Sequence, residues 1–342
     1  MKILISGGSG FIGTNLILKF SKKKEYKIIN LDNHYREGTK ENQLITKNIK
    51  NVEFHKVDIS NKKILKKFKN ISLIIMCASE PSILAGFDNG LANLMQSNFI
   101  GTLNLLELAK KNNSNVIFLS TNRVYSIDQL NKINLKKKEK RFELDLTKKI
   151  KGLTKKGIDE KFSTNGLISY YGLSKYFSER LIQEYCHNNN INYIINRFGI
   201  IAGEYQLGRQ DQGIISFWLK SFIKKKSLSY FGYGGEGLQV RDVLNVQDLC
   251  NLIEKQFLSI NTINNKIFNV GGGLSNSISL SELSNFCREI TGNDIKINST
   301  RKNRVYDIPY YVTNNKKIKN YYDWHPNIKP RKTIEDTFNW LI

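Results

Sequence analysis

The stretch Gly7-Gly8-Ser9-Gly10-Phe11-Ile12-Gly13 follows a short apolar run, Lys2–Ser6, and precedes a helical pattern over residues 14–20. Its glycines have the spacing G-x-x-G-x-x-G. Glycines at these positions permit a tight turn and a close backbone approach to a pyrophosphate, and the start of a helix offers unpaired N–H groups to phosphate. The stretch therefore predicts a dinucleotide-binding turn between a strand and a helix. The residues expected at the cofactor are Gly7, Gly10, Phe11, Ile12 and Gly13.

Apolar runs rich in isoleucine and valine recur along the first 200 residues. They occupy residues 2–6, 26–31, 52–57, 73–77, 116–119 and 192–196. Because they do not alternate strictly between apolar and polar residues, they favour strands buried on both faces of a parallel sheet. Helical spacing lies between them, for instance over 98–111 and 170–186. The sequence thus predicts an α/β fold with a Rossmann-type doubly wound parallel sheet.

The pattern loosens after about residue 200 into glycine-rich and aromatic loops, and a last helical pattern occupies residues 333–341. No Pro/Gly/Ser-rich joint separates the two parts. We therefore predict a dinucleotide-binding Rossmann domain over 1–200 and 238–268. A smaller C-terminal lobe for the substrate is predicted over 201–237 and 269–342.

Acidic residues follow the second and third apolar runs. Asp32 comes ~20 residues after the glycines, where a carboxylate accepts hydrogen bonds from ribose hydroxyls and repels a 2′-phosphate. This position predicts NAD rather than NADP as the cofactor, with Asn33 beside it. Asp58 and Ile59 are expected near the adenine ring. A carboxylate that only stabilises a turn is the alternative for both acids.

A tyrosine and a lysine lie one helical turn apart at the start of the pattern over 170–186. Tyr171 and Lys175 share a helix face, so the ammonium group can favour the phenolate and hold the nicotinamide ribose. Tyrosine titrates near pH ~10, and nearby positive charge brings its pKa towards neutrality, which gives a base for a sugar hydroxyl. Thr121, after the fifth run, is expected to orient the same hydroxyl. A chance pair on a helix is the alternative for Tyr171 and Lys175 taken alone.

Four further stretches carry a family resemblance. They are Cys77-Ala78-Ser79-Glu80-Pro81-Ser82, Ser120-Thr121-Asn122-Arg123-Val124-Tyr125, Asp211-Gln212-Gly213 and Phe231-Gly232-Tyr233-Gly234-Gly235-Glu236-Gly237-Leu238-Gln239-Val240-Arg241-Asp242. With the glycine turn and the tyrosine-lysine pair, they resemble the extended short-chain dehydrogenase/reductase family from Gly7 to Trp340. Within that family, the chain is most similar to nucleotide-sugar 2-epimerases that act on a CDP-linked deoxyhexose.

The resemblance implies a tightly held NAD that is not consumed. A hydride leaves C2 of the sugar, a 2-keto sugar forms, and the hydride returns to the other face. The family's catalytic roles fall on Thr121, Tyr171 and Lys175, and its structural asparagine matches Asn98. Cys77 and Ala78 are implied as further cofactor contacts. The implied substrate contacts are Ser79, Asn122, Arg123, Arg209, Gln212, Arg241 and Arg304.

The resemblance also implies a homo-oligomer, a dimer or a tetramer, that pairs through the helical patterns at 98–111 and 170–186.

Two departures from the family's motifs narrow the reactions expected of this chain. Dehydratases of the family carry an Asp-Glu pair where this chain has Asn122-Arg123, so elimination is disfavoured. Ile200 occupies the position where 4-epimerases of the family carry an asparagine, which weakens the interpretation as a 4-epimerase. A UDP-hexose 4-epimerase, an NAD(P)-dependent reductase and a non-enzymatic dinucleotide sensor stay open as alternatives.

Composition indicates the setting of the protein. The chain carries 53 Lys+Arg against 30 Asp+Glu, a formal net charge of +23. Such a charge is typical of proteins that bind nucleic acids or anionic membranes. Most of the excess is lysine in short clusters, without a nucleic-acid-binding signature, so we interpret it as compositional bias on a solvated surface and expect no nucleic-acid partner. Dispersed cysteines and histidines predict no metal site. A short apolar N-terminus and the lack of an ~18-residue apolar run predict a cytoplasmic protein outside membranes.

Overall fold

The structure is a computed structural model that describes residues 1–87 and 90–342. Each apolar run of the sequence forms a strand in it, as predicted. The strands are β1 Lys2–Ser6, β2 Lys27–Asp32, β3 Val52–Lys56, β4 Leu73–Met76, β5 Asn115–Thr121, β6 Leu135–Lys137, β7 Phe142–Leu144, β8 Leu153–Thr154, β9 Gly157–Ile158, β10 Tyr193–Phe198, β11 Ile200–Ala202, β12 Leu228–Phe231, β13 Val240–Asn245, β14 Lys266–Val270, β15 Ser277–Ser279, β16 Ile297–Thr300 and β17 Tyr310–Tyr311.

The α-helices alternate with the strands in the first part of the chain. They are α1 Phe11–Phe20, α2 Thr39–Thr46, α3 Lys62–Leu65, α4 Leu91–Met95, α5 Gly101–Asn112, α6 Ile127–Asn131, α7 Tyr170–Asn188, α8 Ile214–Ile223, α9 Val246–Ser259, α10 Leu280–Thr291, α11 Lys316–Tyr322 and α12 Pro330–Leu341. A π-helical turn, Gln96–Ile100, precedes α5. Within the described ranges, none of these helices has the length and apolarity needed to cross a bilayer.

Contacts within the chain divide it into two units. Unit 1 contains Met1–Thr121, Tyr170–Arg197 and Cys250–Phe268. Its described strands form a seven-stranded parallel sheet in the order β14-β10-β5-β4-β1-β2-β3. The order reverses at β1, because β2 lies on one side of it and β4 on the other. This arrangement confirms the predicted Rossmann-type doubly wound sheet.

The core of unit 1 explains why the apolar runs do not alternate. Leu4, Ile74 and Phe118 on the strands pack with Leu106 of α5 and Ile182 of α7 in one buried cluster. Helices cover the sheet, so residues of both strand faces lose contact with water, and each buried aliphatic side chain stabilises the fold by about 1.5–3 kcal/mol.

Unit 2 contains Asn122–Ser169, Phe198–Leu249 and Asn269–Ile342. In its small mixed sheet, β13 pairs with β11, β15 and β17. Trp218 and Phe222 of α8, Cys287 of α10 and Ile334 of α12 form its main buried cluster.

The unit boundaries differ from the predicted domains at 122–169, 198–200 and 238–249, which the contacts assign to unit 2. The reason is local packing. Leu135, Phe142 and Leu144 of the β6–β7 hairpin pack on Val240 and Tyr310, so the hairpin and β13 share one apolar cluster. The dinucleotide-binding and substrate-binding roles of the two parts stay predictions.

Candidate active site

The glycine turn follows β1 in unit 1 as predicted. Gly7 has a φ of +67°, and a Cβ atom placed there would lie 2.7 Å from the Cα and N atoms of Ala78. A Cβ atom at Gly13 would overlap the carbonyl oxygen of Gly7. Helix α1 begins at Phe11 behind Gly10, with no side chain capping its first turn. Only glycine fits at positions 7 and 13, and the first N–H groups of α1 are available to a phosphate.

Asp32 is the last residue of β2 and is only 7 % exposed. The backbone N–H of Ser9 donates to its Oδ2 at 3.1 Å, and that of His34 donates to Oδ1 at 2.8 Å. Burial raises the pKa of the carboxyl group, and the two backbone hydrogen bonds oppose this shift. Each carboxylate oxygen has further lone pairs. Asp32 is therefore fixed beside the glycine turn with acceptor capacity for ribose hydroxyls.

Asn33 and Asp58 lie together where two adjacent strands end. The Nδ2 of Asn33 donates to Oδ2 of Asp58 at 3.0 Å, and the N–H of Ser60 donates to Oδ1 at 2.8 Å. Burial acts to raise the pKa of Asp58, but the hydrogen bonds from Ser60 and Asn33 outweigh it and hold the pKa below its usual value. The neighbouring Ile59 is buried. Both residues predicted near the adenine ring thus have fixed positions.

Lys175 lies in the first half of α7 and is only 3 % exposed. Its Nζ donates to the carbonyl oxygen of Leu119 at 3.0 Å and lies 4.7 Å from the ring centroid of Phe118. Burial lowers the pKa of Lys175 to about 8, although Cys77 and Glu179 act to raise it. The ammonium group is thereby held beside the carboxyl end of β5.

Tyr171 precedes Lys175 by one turn of α7 and is half-buried. Thr121 is the last residue of β5 and is 6 % exposed. Helix α7 packs against β5. The structure therefore brings the helix of Tyr171 and Lys175 to the strand that carries Thr121. All three belong to unit 1.

A buried network next to these residues was not predicted from the sequence. The Oγ of Ser120 and the guanidinium group of Arg197 both donate to the carboxylate of Glu179, with Arg197 Nη2 at 2.6 Å. The side chains of Arg197 and Glu179 are 7 % and 1 % exposed. Glu179 continues the four-residue spacing of Tyr171 and Lys175, which is the signal that could have revealed it. The network joins α7 to β5 and β10.

Asn98 lies in the π-helical turn, and both the oxygen and the nitrogen of its side-chain amide form hydrogen bonds within unit 1. Its Oδ1 accepts from Ser79 Oγ at 3.2 Å and from Glu80 N at 2.8 Å. Its Nδ2 donates to the Glu80 carbonyl at 3.1 Å and to Ser174 Oγ at 2.9 Å. It therefore joins the loop after β4, which contains Cys77 and Ala78, to helix α7. This contact set fits the structural role implied for Asn98.

Unit 2 contains the predicted arginines, three of which meet at the segment 304–308. The side chain of Arg241 is 15 % exposed, and its Nη2 contacts Asp307 Oδ1 at 3.0 Å. Burial lowers the pKa of Arg241, and Asp307 acts to raise it. The Nη1 of Arg123 donates to the Tyr306 carbonyl at 3.1 Å. Arg304 stacks on the ring of Phe231 at 4.1 Å. The segment was not itself predicted as a meeting point.

Tyr233 is a further residue of this cluster that the sequence did not single out. Burial raises the pKa of its hydroxyl, Asp307 raises it further, and Arg241 and Arg123 lower it. The hydroxyl donates to Asn131 Oδ1 at 3.2 Å. Its backbone φ is +51°, which is uncommon for tyrosine, and it lies within a glycine-rich turn.

Arg209 and Gln212 belong to one turn of unit 2. Their backbone groups bond each other, with Arg209 N donating to Gln212 O at 2.7 Å and Gln212 N to Arg209 O at 3.2 Å. The turn ends at Gly213, whose φ is +70°. Asn122, in the short 3₁₀ turn after β5, is buried. Their predicted substrate contacts stay predictions.

A Rossmann sheet with a glycine turn, an acid at the end of β2 and a tyrosine-lysine pair on one helix defines a class of dinucleotide-dependent enzymes. The chain belongs to the NAD dependent epimerase/dehydratase family, whose model matches residues 3–271. The predicted family resemblance and the predicted NAD are thereby confirmed.

Similarity extends over the whole chain. It is 29 % identical to the CDP-paratose 2-epimerase of Salmonella typhi over 99 % of each chain. It is 26 % identical to the UDP-glucuronate 4-epimerase of Thermodesulfobacterium geofontis over 98 % of this chain and 95 % of that one. The structure of a UDP-glucuronic acid 4-epimerase from Bacillus cereus, solved with UDP-glucuronic acid and NAD, matches with a TM-score of 0.81 and 21 % identity, covering 100 % and 99 % of the two chains.

Proposed function

We propose that the protein is an NAD-dependent epimerase of a nucleotide-activated deoxyhexose that converts CDP-paratose into CDP-tyvelose by inversion at C2. The observation that carries this proposal is the similarity to a CDP-paratose 2-epimerase over 99 % of both chains. It agrees with the stretches that carry the 2-epimerase resemblance, among them the turn with Gln212 and the strand with Arg241.

The chemistry is assigned to unit 1. Bound NAD supplies the acceptor and the later donor of the hydride. Tyr171 would accept the proton of the C2 hydroxyl as the sugar is oxidised to its 2-keto form, and would return that proton when the 2-keto group is reduced from the opposite face. Lys175, with a pKa of about 8, is mostly protonated at pH 7 and favours the phenolate of Tyr171. Thr121 orients the hydroxyl.

Recognition of the diphosphate is assigned to the arginines of unit 2. A guanidinium group offers two parallel donors, which match the oxygens of a phosphate. Arg241 is held by Asp307 and by the carbonyl oxygen of Ile308, and it is preorganised by these contacts. Arg123 and Arg304 add positive charge at the same segment.

A dehydratase is disfavoured because elimination requires a carboxylic acid and a base beside the sugar. Thr121 is followed by Asn122 and Arg123 rather than by acids, and Arg123 is bonded to the Tyr306 carbonyl. A UDP-hexose 4-epimerase is the second candidate, since a 4-epimerase relative also matches over nearly the whole chain. The same base and the same NAD would serve C4.

Proton NMR of the purified protein in deuterated water tests the proposal. CDP-paratose is supplied without added NAD, and we expect the C2-inverted sugar with hydrogen, not deuterium, at C2, because the hydride returns directly. Inversion at C4 of a UDP-hexose with no turnover of CDP-paratose would transfer the function to the second candidate. Deuterium at C2 would contradict hydride return and require a proton-exchange mechanism.

A further inference from the structure

An ion pair joins two loops that flank the glycine turn. The Nη1 of Arg36 lies 2.9 Å from Oε1 of Glu80, and each side chain is 26 % exposed. Arg36 belongs to the loop after β2, and Glu80 belongs to the loop after β4. Strand β1 lies between β4 and β2, so the loops at the same end of these strands lie on either side of the Gly7–Gly13 turn.

Both ends of this pair are anchored. The backbone N–H and carbonyl of Glu80 are bonded to the amide of Asn98, at 2.8 and 3.1 Å, and Asn98 is bonded to Ser174 on helix α7. The carbonyl of Arg36 accepts from Thr39 Oγ1 at 2.6 Å at the start of α2. The N–H of Ser82 donates to the same Glu80 oxygen at 3.1 Å. The pair is therefore a connection between two held loops rather than a contact between mobile side chains.

We propose that Arg36 and Glu80 form a clasp over the NAD site that slows the release of the cofactor. The need for such a clasp rests on the proposed function, because an epimerase that loses its reduced cofactor before the hydride returns is left with an unfinished sugar. Asp32 and the glycine turn bind the dinucleotide, and the clasp must open before the dinucleotide leaves. Opening breaks the partly exposed, charge-assisted hydrogen bond between Arg36 and Glu80.

The test is the exchange rate of NAD in the full-length protein. The protein is loaded with radiolabelled NAD, chased with excess unlabelled NAD without sugar, and filtered at intervals. We expect exchange to be roughly two- to fivefold faster in Glu80→Gln and in Arg36→Gln, the range of one partly screened ion pair. The double variant is expected to exchange no faster than the faster single variant. Arg36→Lys, which keeps the charge, is expected to lie in between.

Lys62→Gln is the matched control, because Lys62 and Glu107 form an exposed ion pair 2.6 Å long in the same unit. Its exchange rate should equal that of the unchanged protein. Unchanged exchange in Glu80→Gln overturns the clasp even if Arg36→Gln exchanges faster, since Arg36 then acts without its partner. Additive effects in the double variant overturn it as well. No sugar enters this assay, so a wrong sugar assignment leaves its outcome unaffected.

Discussion

Unit 1 and unit 2 hold their candidate site residues in different ways. In unit 1 they follow the ends of parallel strands or lie on α7, and buried contacts fix them, as with Lys175 against Leu119 and Phe118. In unit 2 the arginines are held by loop groups, as with Arg241 on Asp307 and Ile308. Rigid placement suits bond making and breaking, where small displacements are costly, whereas loop placement suits recognition of one sugar nucleotide among several.

The first prediction concerns the base in unit 1. Tyr171→Phe removes the hydroxyl that accepts the proton and should lower kcat by about 10²- to 10⁴-fold, the usual contribution of a general base. The measurement is turnover of the preferred sugar nucleotide, together with the NAD content of the purified protein, which should not change.

Tyr170→Phe is the matched control, because Tyr170 is the preceding residue of α7 and lies 5.5 Å from Phe87, ring centroid to ring centroid. Its activity should stay within about twofold of the unchanged protein. If Tyr171→Phe keeps more than a tenth of the activity, the assignment of the base to unit 1 is wrong.

Much of unit 1 could be predicted because its rules are local. Buried parallel strands produce apolar runs, and the turn after β1 needs glycine for steric reasons, as the Gly7 geometry shows. The network of Ser120, Glu179 and Arg197 was missed, since it depends on three elements that meet only in the folded chain. The spacing from Lys175 to Glu179 hinted at it, but no local rule names its partners.

Unit 2 was less predictable for a related reason. Its small sheet mixes parallel and antiparallel pairs around β13, so the strand pairing cannot be predicted from the hydrophobic pattern. The resemblance singled out Arg123, Arg241 and Arg304 as separate residues. Their meeting at residues 304–308 is a tertiary arrangement, and so is the position of Tyr233 beside them.

The second prediction concerns the energetic cost of rigid placement. The pKa of Lys175 is about 8 in the folded protein and 10.5 ordinarily. Below pH 8 the lysine is charged in both the folded and the unfolded chain, so the cost of burying the charge lowers the stability of the fold in full. Between pH 8 and 10.5 the unfolded chain binds more protons, and this penalty on stability disappears as the pH rises.

Lys175→Met removes the penalty. In NAD-depleted protein at pH 7 it should raise the free energy of unfolding by about 2 kcal/mol, that is about 3 from the pKa shift less about 1 for the lost bond to Leu119. The gain should vanish near pH 10.5. Urea unfolding at both pH values measures it, with the exposed Lys40→Met as control. A variant less stable than the unchanged protein at pH 7 would show that the ammonium group stabilises the fold.

The third prediction concerns recognition in unit 2. Arg241→Lys keeps the positive charge but loses the planar fork, so KM for the sugar nucleotide should rise by roughly tenfold, about 1.4 kcal/mol, while kcat changes little. Arg288→Lys is the control, because Arg288 is an exposed arginine paired with Asp294 at 2.9 Å. Steady-state kinetics of both variants separate the two constants. A fall in kcat at unchanged KM would mean that Arg241 acts on the reacting sugar, and the division between chemistry in unit 1 and recognition in unit 2 would then be wrong.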